Sequence, residues 1–385
     1  PAIPLAIGII IDIIAIFVFR TDYFSWLKEI IKIPDGFFPI GISFFTLSSI
    51  GILIDVYCKR IREPLNIVRF ALYIIFFPRL LRGPVLHYSA FVFQLKRIKS
   101  SLDDIGIGFT IFIKGLTKKV IIADTLLMLY NAVKSVSVAE MSALTAWLGL
   151  TAFGLCFYFT LSGIADMGKG IAYCFGFRFP KSFDYPLFSS EIKKFLLGWN
   201  TQVVLWFKSY LLIPLSSSCE NRICKKICIV IVGGLIGYWY SFGVNGALCG
   251  LILGVALIIE NKLHKKKSPN ATEVAYAYFI IIICFVLLSG ENLSYSFKYL
   301  LAMFGGNRII ADSLSFYLLK SYLVVLLVSI YASTNLFRNM IMNSVKLKLR
   351  TISTIVSPIV VLFMLVVCTA LISYSGSSEM LFMKL

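Results

Sequence analysis

The side chains able to do chemistry in the stretch GLIGYWYSFGVNGALCGLILGVALIIE, residues 234–260, are Tyr238, Tyr240, Ser241, Asn245 and Cys249, with Trp239 beside them. A hydroxyl or thiol becomes a nucleophile when a neighbouring base takes its proton, and this stretch holds no histidine. A phenol, with a pKa of about 10, reaches its ionised form at pH 7 at a cost of about 4 kcal/mol. Apolar burial raises that cost, and the nearest lysines in sequence, Lys225, Lys226 and Lys262, fall outside the stretch. Tyr240 is therefore a poor general base. As a neutral phenol it can still donate a hydrogen bond to a developing oxyanion. Ser241, Ser162 and Cys249 are nucleophiles without a visible base, and a packed apolar thiol is the preferred reading of Cys249.

The elements that must position these groups are apolar. Of the 385 residues, 59% are hydrophobic and 15% charged, too little charge for a water-soluble surface of this size. Runs such as Ile3 to Phe19 and Ile352 to Ile372 reach or approach the roughly 20 residues that cross a bilayer. The pattern predicts a multi-pass, all-α protein of the inner or plasma membrane. About eight to ten crossings and some re-entrant or interfacial helices are expected. Spans are expected near 3–19, 37–56, 68–81, 104–130, 143–163, 223–239, 243–260, 273–289, 315–332 and 352–374. Pro78 interrupts FALYIIFFPRLL, residues 70–81, so that piece reads as re-entrant or in-plane. Residues 191–215 mix charge, amide and aromatic groups, as in an interfacial or cavity-lining helix. No repeat or linker divides the chain, so residues 1–385 read as one domain. Its opening proline, already inside an apolar span, is expected to continue a longer chain.

The net charge of +18 is spread over short loops, at Lys59, Arg60 and Arg62, at Lys96, Arg97 and Lys99, at Arg222, Lys225 and Lys226, and at Lys262 and Lys265 to Lys267. Such loops read as cytoplasmic. A polybasic surface for anionic lipids or an acidic partner is the competing reading. Nothing supplies a base-reading face for nucleic acid. Cys219, Cys224 and Cys228 lack the fourth ligand of a zinc pattern, and no metal is expected. Gly243, Gly246, Gly250 and Gly254 form a smooth stripe suited to close helix contact. Tyr238, Ser241, Asn245 and Cys249 recur on another face, which lines a cavity or bonds across helices. Lys118, Lys119 and Asp124 are expected to mark a span end, their charges reaching water.

Four colinear blocks carry a resemblance. They are PIGISFFTLSSIGILIDVYCKRI (39–61) with FALYIIFFPRLLRGPVLHYSAFVFQL (70–95); FIKGLTKKVIIAD (112–124); FYFTLSGIADMGKGIAYCFGFRFPKSFDYPL (157–187) leading into FLLGWNTQVVLWFKSYLLIPL (195–215); and the stretch 234–260. Together they resemble the membrane-bound O-acyltransferase family, in its branch of alginate O-acetylation and teichoic-acid D-alanylation. The resemblance runs from about residue 8 to the C-terminus, without the family's usual additional N-terminal spans.

The resemblance implies acyl transfer to an envelope glycan or teichoic-acid-like polymer. It also implies a thioester donor, acetyl-CoA or an acyl carrier, that is not tightly bound, together with a partner acyltransferase or carrier protein. Tyr240 falls where the family carries its characteristic histidine, Trp239 matches the family tryptophan, Ser241 falls at its glycine and Leu253 at the second histidine. Trp199 and Asn200 stand for a Trp-His pair. Thr160, Leu161, Ser162 and Gly163 replace Asp-Phe-Ser-Gly, while Asp166 is kept. The resemblance also implies a central tunnel among the helices, with Trp199 and Trp239 expected to wall it and Asn200, Ser241, Asn245, Ser162 and Asp166 to face it. Three histidine positions are substituted together, which points to lost or altered catalysis, a pseudoenzyme. A scaffold and an acyl or lipid conduit are the alternatives. The two histidines present, His87 and His264, match no catalytic motif position.

Overall fold

The computed structural model describes residues 2–21, 25–30, 39, 41–61, 64, 66–80, 86–263, 269–335 and 350–375. Among them the regular structure is helical throughout. Six helices are long and apolar enough to cross a membrane: Ala2–Arg20, Ala143–Cys174, Arg222–Ser241, Val244–Leu263, Ala271–Ser289 and Ser313–Ala332. Shorter apolar helices occupy Ile42–Tyr57 and Pro358–Tyr374. The protein is a polytopic all-α membrane protein, as the hydropathy pattern predicts. Helices suit that setting because each backbone N–H finds its acceptor within the element. Large apolar side chains on the outward faces, such as Ile10, Val324, Val328 and Phe363, are exposed because their solvent is lipid.

Ala143–Cys174 is the central post. Its 32 residues, roughly 48 Å of helix, are almost entirely buried along their most apolar stretch. Leu102–Thr117 crosses it where glycines face each other. A Cβ added to Gly115 would stand 2.5 Å from the Gly163 carbonyl, and one on Gly108 would stand 2.6 Å from the Gly170 carbonyl. The Arg222–Ser241 and Val244–Leu263 helices form an antiparallel hairpin closed in the same way, Gly237 lying against Gly246 and Gly250 against Gly233. Gly246, Gly250 and Gly254 thus act as the contact stripe, while Gly243 belongs to the turn. Phe242 supplies that turn's left-handed residue, at φ 49°.

Side-chain caps lock the frame. Ser101 and Asp104 form a capping box at the start of Leu102–Thr117. The Asp312 carboxylate caps Ser313–Ala332 through the Ser315 N–H, and also accepts from the Ser142 and Thr145 hydroxyls at 2.9 and 3.2 Å. One carboxylate thereby ties together two helix N-termini, where negative charge is favoured. Glu260, buried near the base of the hairpin, accepts from the Ile192 and Lys193 N–H groups at 2.7 and 3.0 Å. That contact pins the 192–217 segment to the hairpin.

Two sequence expectations change. The piece near 70–81 is broken as expected, but at Phe76, between helices Ile67–Ile75 and Phe77–Leu80. Pro78 then sits in the first turn of the second helix, where its missing N–H costs nothing. The span expected near 104–130 is Leu102–Thr117, a π-helical turn Lys118–Ala123, and Asp124–Lys134. Lys118, Lys119 and Asp124 therefore do not mark a span end. Lys119 is buried and paired with Asp124, and Lys118 reaches inward to Asp166.

The hairpin supplies a direct test. A side chain at Gly237 would place its Cβ 2.1 Å from the Gly246 carbonyl, whereas one at Gly106 meets nothing within 4 Å. Gly237→Val is expected to cost about 3 kcal/mol, at the upper end for overpacking, seen as a lower melting temperature in detergent. Gly106→Ala should be neutral or gain about 0.5 kcal/mol. Equal melting temperatures for the two variants would refute close backbone packing in the hairpin.

Candidate functional site

The 192–217 segment and the helical hairpin enclose a cavity of about 330 Å³. Tyr240 and Trp199 line it, with Cys249 and Leu253 on the facing helix and Lys193, Lys208 and Asn261 supplying polar groups. Lys193 and Asn261 lie beside Glu260, near the hairpin's two basic ends, Arg222, Lys225 and Lys226 on one helix and Lys262 on the other. On the Arg222–Ser241 helix the lining runs from Ile229 to Tyr240, roughly 16 Å along the axis. The cavity therefore leads from the basic end of the hairpin towards its tip. Five rings surround Trp199: Phe157, Tyr158, Phe183, Phe195 and Phe285, with centroids 5.4 to 6.2 Å away. Trp199 is thereby held as a rigid wall.

The structure distributes the sequence-derived residues over several places. Tyr240 and Trp199 share the cavity. Trp239 points away, packing edge-on to Phe44 at 5.3 Å and near Phe207, its buried indole N–H without a partner among the described residues. Asn200 is buried in a left-handed conformation, φ 45°, and its carbonyl starts the Thr201–Phe207 helix. An asparagine tolerates that conformation better than most residues. The Ser241 hydroxyl accepts from the Gly243 N–H at 3.3 Å, closing the hairpin turn. Asn245 donates to the Gly290 carbonyl at 2.8 Å. On the face shared by Tyr238, Ser241, Asn245 and Cys249, then, Cys249 lines the cavity while Asn245 bonds across helices.

Ser162 and Asp166 form a separate cluster on the central post. Lys118 donates to Ser162 Oγ at 2.9 Å and to Asp166 Oδ2 at 2.6 Å. The lysine's charge is met by a carboxylate and a second of its three donors by a hydroxyl, partners of the kind that hold an ion at membrane depth. Beside it runs the Lys119–Asp124 pair. Both lysines belong to the π-helical turn, whose wider winding directs consecutive side chains to different partners.

Cys219 and Cys224 form a disulfide, with the Cys228 sulfur 3.7 Å from that of Cys219. The three sulfurs lie within 4.8 Å of one another, but a disulfide sulfur is not a thiolate ligand.

Sequence reasoning missed a third cluster. His87 Nδ1 lies 2.7 Å from the Tyr210 hydroxyl, and that hydroxyl donates to Asp55 Oδ2 at 2.7 Å. Arg60 holds the other oxygen of Asp55 at 3.2 Å. The available signal was an aspartate inside the apolar block GILIDVY, at a depth where a carboxylate needs partners. Partners 32 and 155 positions away left no trace in local spacing. His264 lies outside the described residues.

An all-α frame of membrane-crossing helices with a cavity walled by the hairpin and the 192–217 segment defines a polytopic membrane protein with an internal pocket. The pattern of the membrane-bound O-acyltransferase (MBOAT) family matches residues 56–230 of the chain. It is 30% identical over 313 residues to a probable alginate O-acetylase of Pseudomonas aeruginosa, covering 78% of this chain and 60% of that protein. It is 27% identical over 306 residues to a peptidoglycan O-acetyltransferase of Helicobacter pylori, covering 70% and 58%. To a teichoic acid D-alanyltransferase of Bacillus subtilis it is 22% identical over 237 residues, covering 59% and 60%. The chain thus spans about 60% of the length of these curated relatives.

The Lys119–Asp124 pair generates a prediction. Lys119→Met leaves Asp124 without its lysine and should cost about 3 kcal/mol, the lower end for a broken buried pair because Asp124 keeps some exposure. The double variant Lys119→Met/Asp124→Leu should recover most of that loss in detergent unfolding. A double variant no more stable than the single one would show that the pair does not carry the effect.

Proposed function

We propose that this protein takes part in O-acylation of an envelope glycan or teichoic-acid-like polymer. In this reading the acyl group comes from a cytosolic thioester, acetyl-CoA or an acyl carrier, and moves through the cavity towards the hairpin tip. The observation that carries the reading is the open cavity, walled by Tyr240 at the family's histidine position and by Trp199. A volume of about 330 Å³, at the small end for ligand sites, suits an acyl group on the end of its carrier better than a polymer segment.

Among the described residues the cavity lining offers phenol, thiol and ammonium groups but neither imidazole nor carboxylate. Tyr240 accordingly serves as a neutral hydrogen-bond donor that orients a carbonyl, not as a proton acceptor. The lysines Lys193 and Lys208 place positive charge where an anionic carrier would approach. The same lining supports the conduit version of this reading, with the transfer completed by a partner acyltransferase.

Acyl-ester content of the envelope polymer separates these outcomes in cells carrying the full-length protein, a deletion, Tyr240→Phe or Leu253→Trp, with membrane accumulation followed in each. Deletion should abolish the esters. Leu253→Trp, which fills the cavity, should reduce them at least tenfold. Tyr240→Phe, which removes one hydrogen bond worth about 1 kcal/mol, should reduce them by about tenfold or less. Unchanged esters on deletion would end the acylation reading, and unchanged esters with an accumulated Leu253→Trp protein would end the role of the cavity.

A further inference from the structure

Among the described residues the cavity's lining has no imidazole or carboxylate, yet a built imidazole site lies directly behind its wall. The helix Thr201–Phe207 and its π-helical continuation Lys208–Leu212 present two faces. Val204, Lys208 and Leu212 line the large cavity, while Gln202, Trp206 and Tyr210 line a second pocket of about 100 Å³ that also contains His87, Tyr73 and Gly51. From this arrangement we propose that His87, held by Tyr210 and Asp55, is the general base of a second site on the protein, one that takes a thioester carbonyl and the hydroxyl that attacks it. The proposal rests on the acylation reading above.

Donor counting fixes the imidazole. Tyr210 has one hydroxyl proton, and Asp55 Oδ2, a carboxylate acceptor 2.7 Å away, receives it. The Tyr210 oxygen must then accept from His87 Nδ1, so Nδ1 carries a proton. In the neutral ring this leaves Nε2 as the lone-pair nitrogen. A histidine whose tautomer and direction are set by a further group is a recognised signature of a general base, and here the Asp55 carboxylate acts through Tyr210.

The surroundings keep that geometry. Asp55 is almost fully buried and also bound by Arg60, whose guanidinium carbon lies 5.7 Å from the centre of the Tyr210 ring. The Tyr73 hydroxyl donates to the Leu86 carbonyl at 2.7 Å and so anchors the chain one residue before His87. Arg79, itself bonded to Ser48, lies 4.0 Å over the Tyr73 ring. The charged and titratable groups around the imidazole are thus Asp55, Tyr210, Arg60, Tyr73 and Arg79. His87 sits at the N-cap of Tyr88–Leu95, where its side chain makes no capping bond, and about half of that side chain is exposed and open to a substrate.

A second polar group points the same way. The Trp206 indole N–H is buried without a partner among the described residues, in a pocket it shares with His87, and lies near Gly51. A buried unpaired donor is costly and becomes satisfied when a carbonyl oxygen enters the pocket. The pocket lies by the basic stretch Lys59 to Arg60 at the end of Ile42–Tyr57, on the side read as cytoplasmic, where thioesters are available. Its volume, a few waters' worth, admits reacting ends of acetyl size and not a sugar ring.

The step balances without a further reactant. The attacking hydroxyl gives its proton to His87 Nε2 as its oxygen bonds to the thioester carbonyl carbon, and the carbonyl oxygen, now negative, is met by the Trp206 N–H. The carbonyl re-forms, the carbon–sulfur bond breaks, and the departing thiolate takes the proton from Nε2. Thioester and alcohol become ester and thiol, and the imidazole is restored. His87 is the catalytic residue of this site; Tyr210 and Asp55 are positioning residues.

His87→Gln tests the base while keeping an N–H that can reach Tyr210. In cells carrying the full-length protein, this variant should accumulate normally and lose acyl esters about a hundredfold or more, the scale of a general base. Tyr210→Phe should retain part of the activity, with kcat lowered and KM for acetyl-CoA little changed in membrane preparations. Esters abolished by deletion but retained in His87→Gln would overturn this proposal and leave the acylation reading standing; esters unaffected by deletion would end both. If His87→Gln does not accumulate, diethyl pyrocarbonate applied to wild-type membranes gives the answer. Loss of activity that tracks carbethoxylation of His87 and is reversed by hydroxylamine is expected, and activity surviving complete modification of His87 by mass spectrometry would overturn the proposal.

Discussion

Close backbone approach at glycine is the contact on which this molecule depends. Between helices in lipid there is little hydrophobic driving force, because the tails are as apolar as leucine, so association rests on packing and hydrogen bonds. Gly108, Gly115, Gly163 and Gly170 bring Leu102–Thr117 onto the central post with carbonyls where side chains would otherwise stand. Gly233, Gly237, Gly246 and Gly250 do the same within the hairpin. Each contact sets the position of something polar. The first places Lys118 opposite Ser162 and Asp166. The second holds Tyr240 on one helix of the cavity and Cys249 on the other.

Given that frame, the ionic groups explain themselves by pairing. Asp55, Asp166, Glu260 and Asp312 each receive donors from another part of the chain. An unpaired charge in a low-dielectric interior is expensive, so these pairings carry positional information that hydrophobic contact lacks. Glu260 places the 192–217 segment, and Asp312 joins two helix starts. The polar residues of this protein are few, and they act mainly as registration points between helices.

What could be read in the sequence follows from the range of the interaction. Hydropathy is local, so the crossings at 2–20, 143–174, 222–241 and 271–289 were legible, as were the hairpin's glycine stripe and the break near Pro78. The π-turn at Lys118–Ala123 was not, because its cause is the fit of both lysines to carboxylates on neighbouring turns and on the central post. The direction of Trp239 was equally hidden. Adjacent residues on a helix differ by about 100° in direction, so Tyr240 facing the cavity sends Trp239 towards Phe44. Nor could spacing reveal that His87, dismissed by motif position, meets Tyr210 more than a hundred residues away.

The segment 192–217 shows why one helix can serve two pockets. Val204, Lys208 and Leu212 are spaced by four, a spacing that drifts around an ordinary α-helix by about 40° per step. The wider π-turn beginning at Lys208 offsets that drift, so the three stay on the cavity side. Tyr210 is thereby left on the opposite side, in reach of both Asp55 and His87. The cavity and the histidine pocket are consequently coupled through one backbone irregularity. Shifting the 208–212 turn by a residue would move Lys208 out of one and Tyr210 out of the other. A chain with an apolar passage alone would have no need of that registration, and it is the paired Asp55, Tyr210 and His87 behind the wall that give it a chemical purpose.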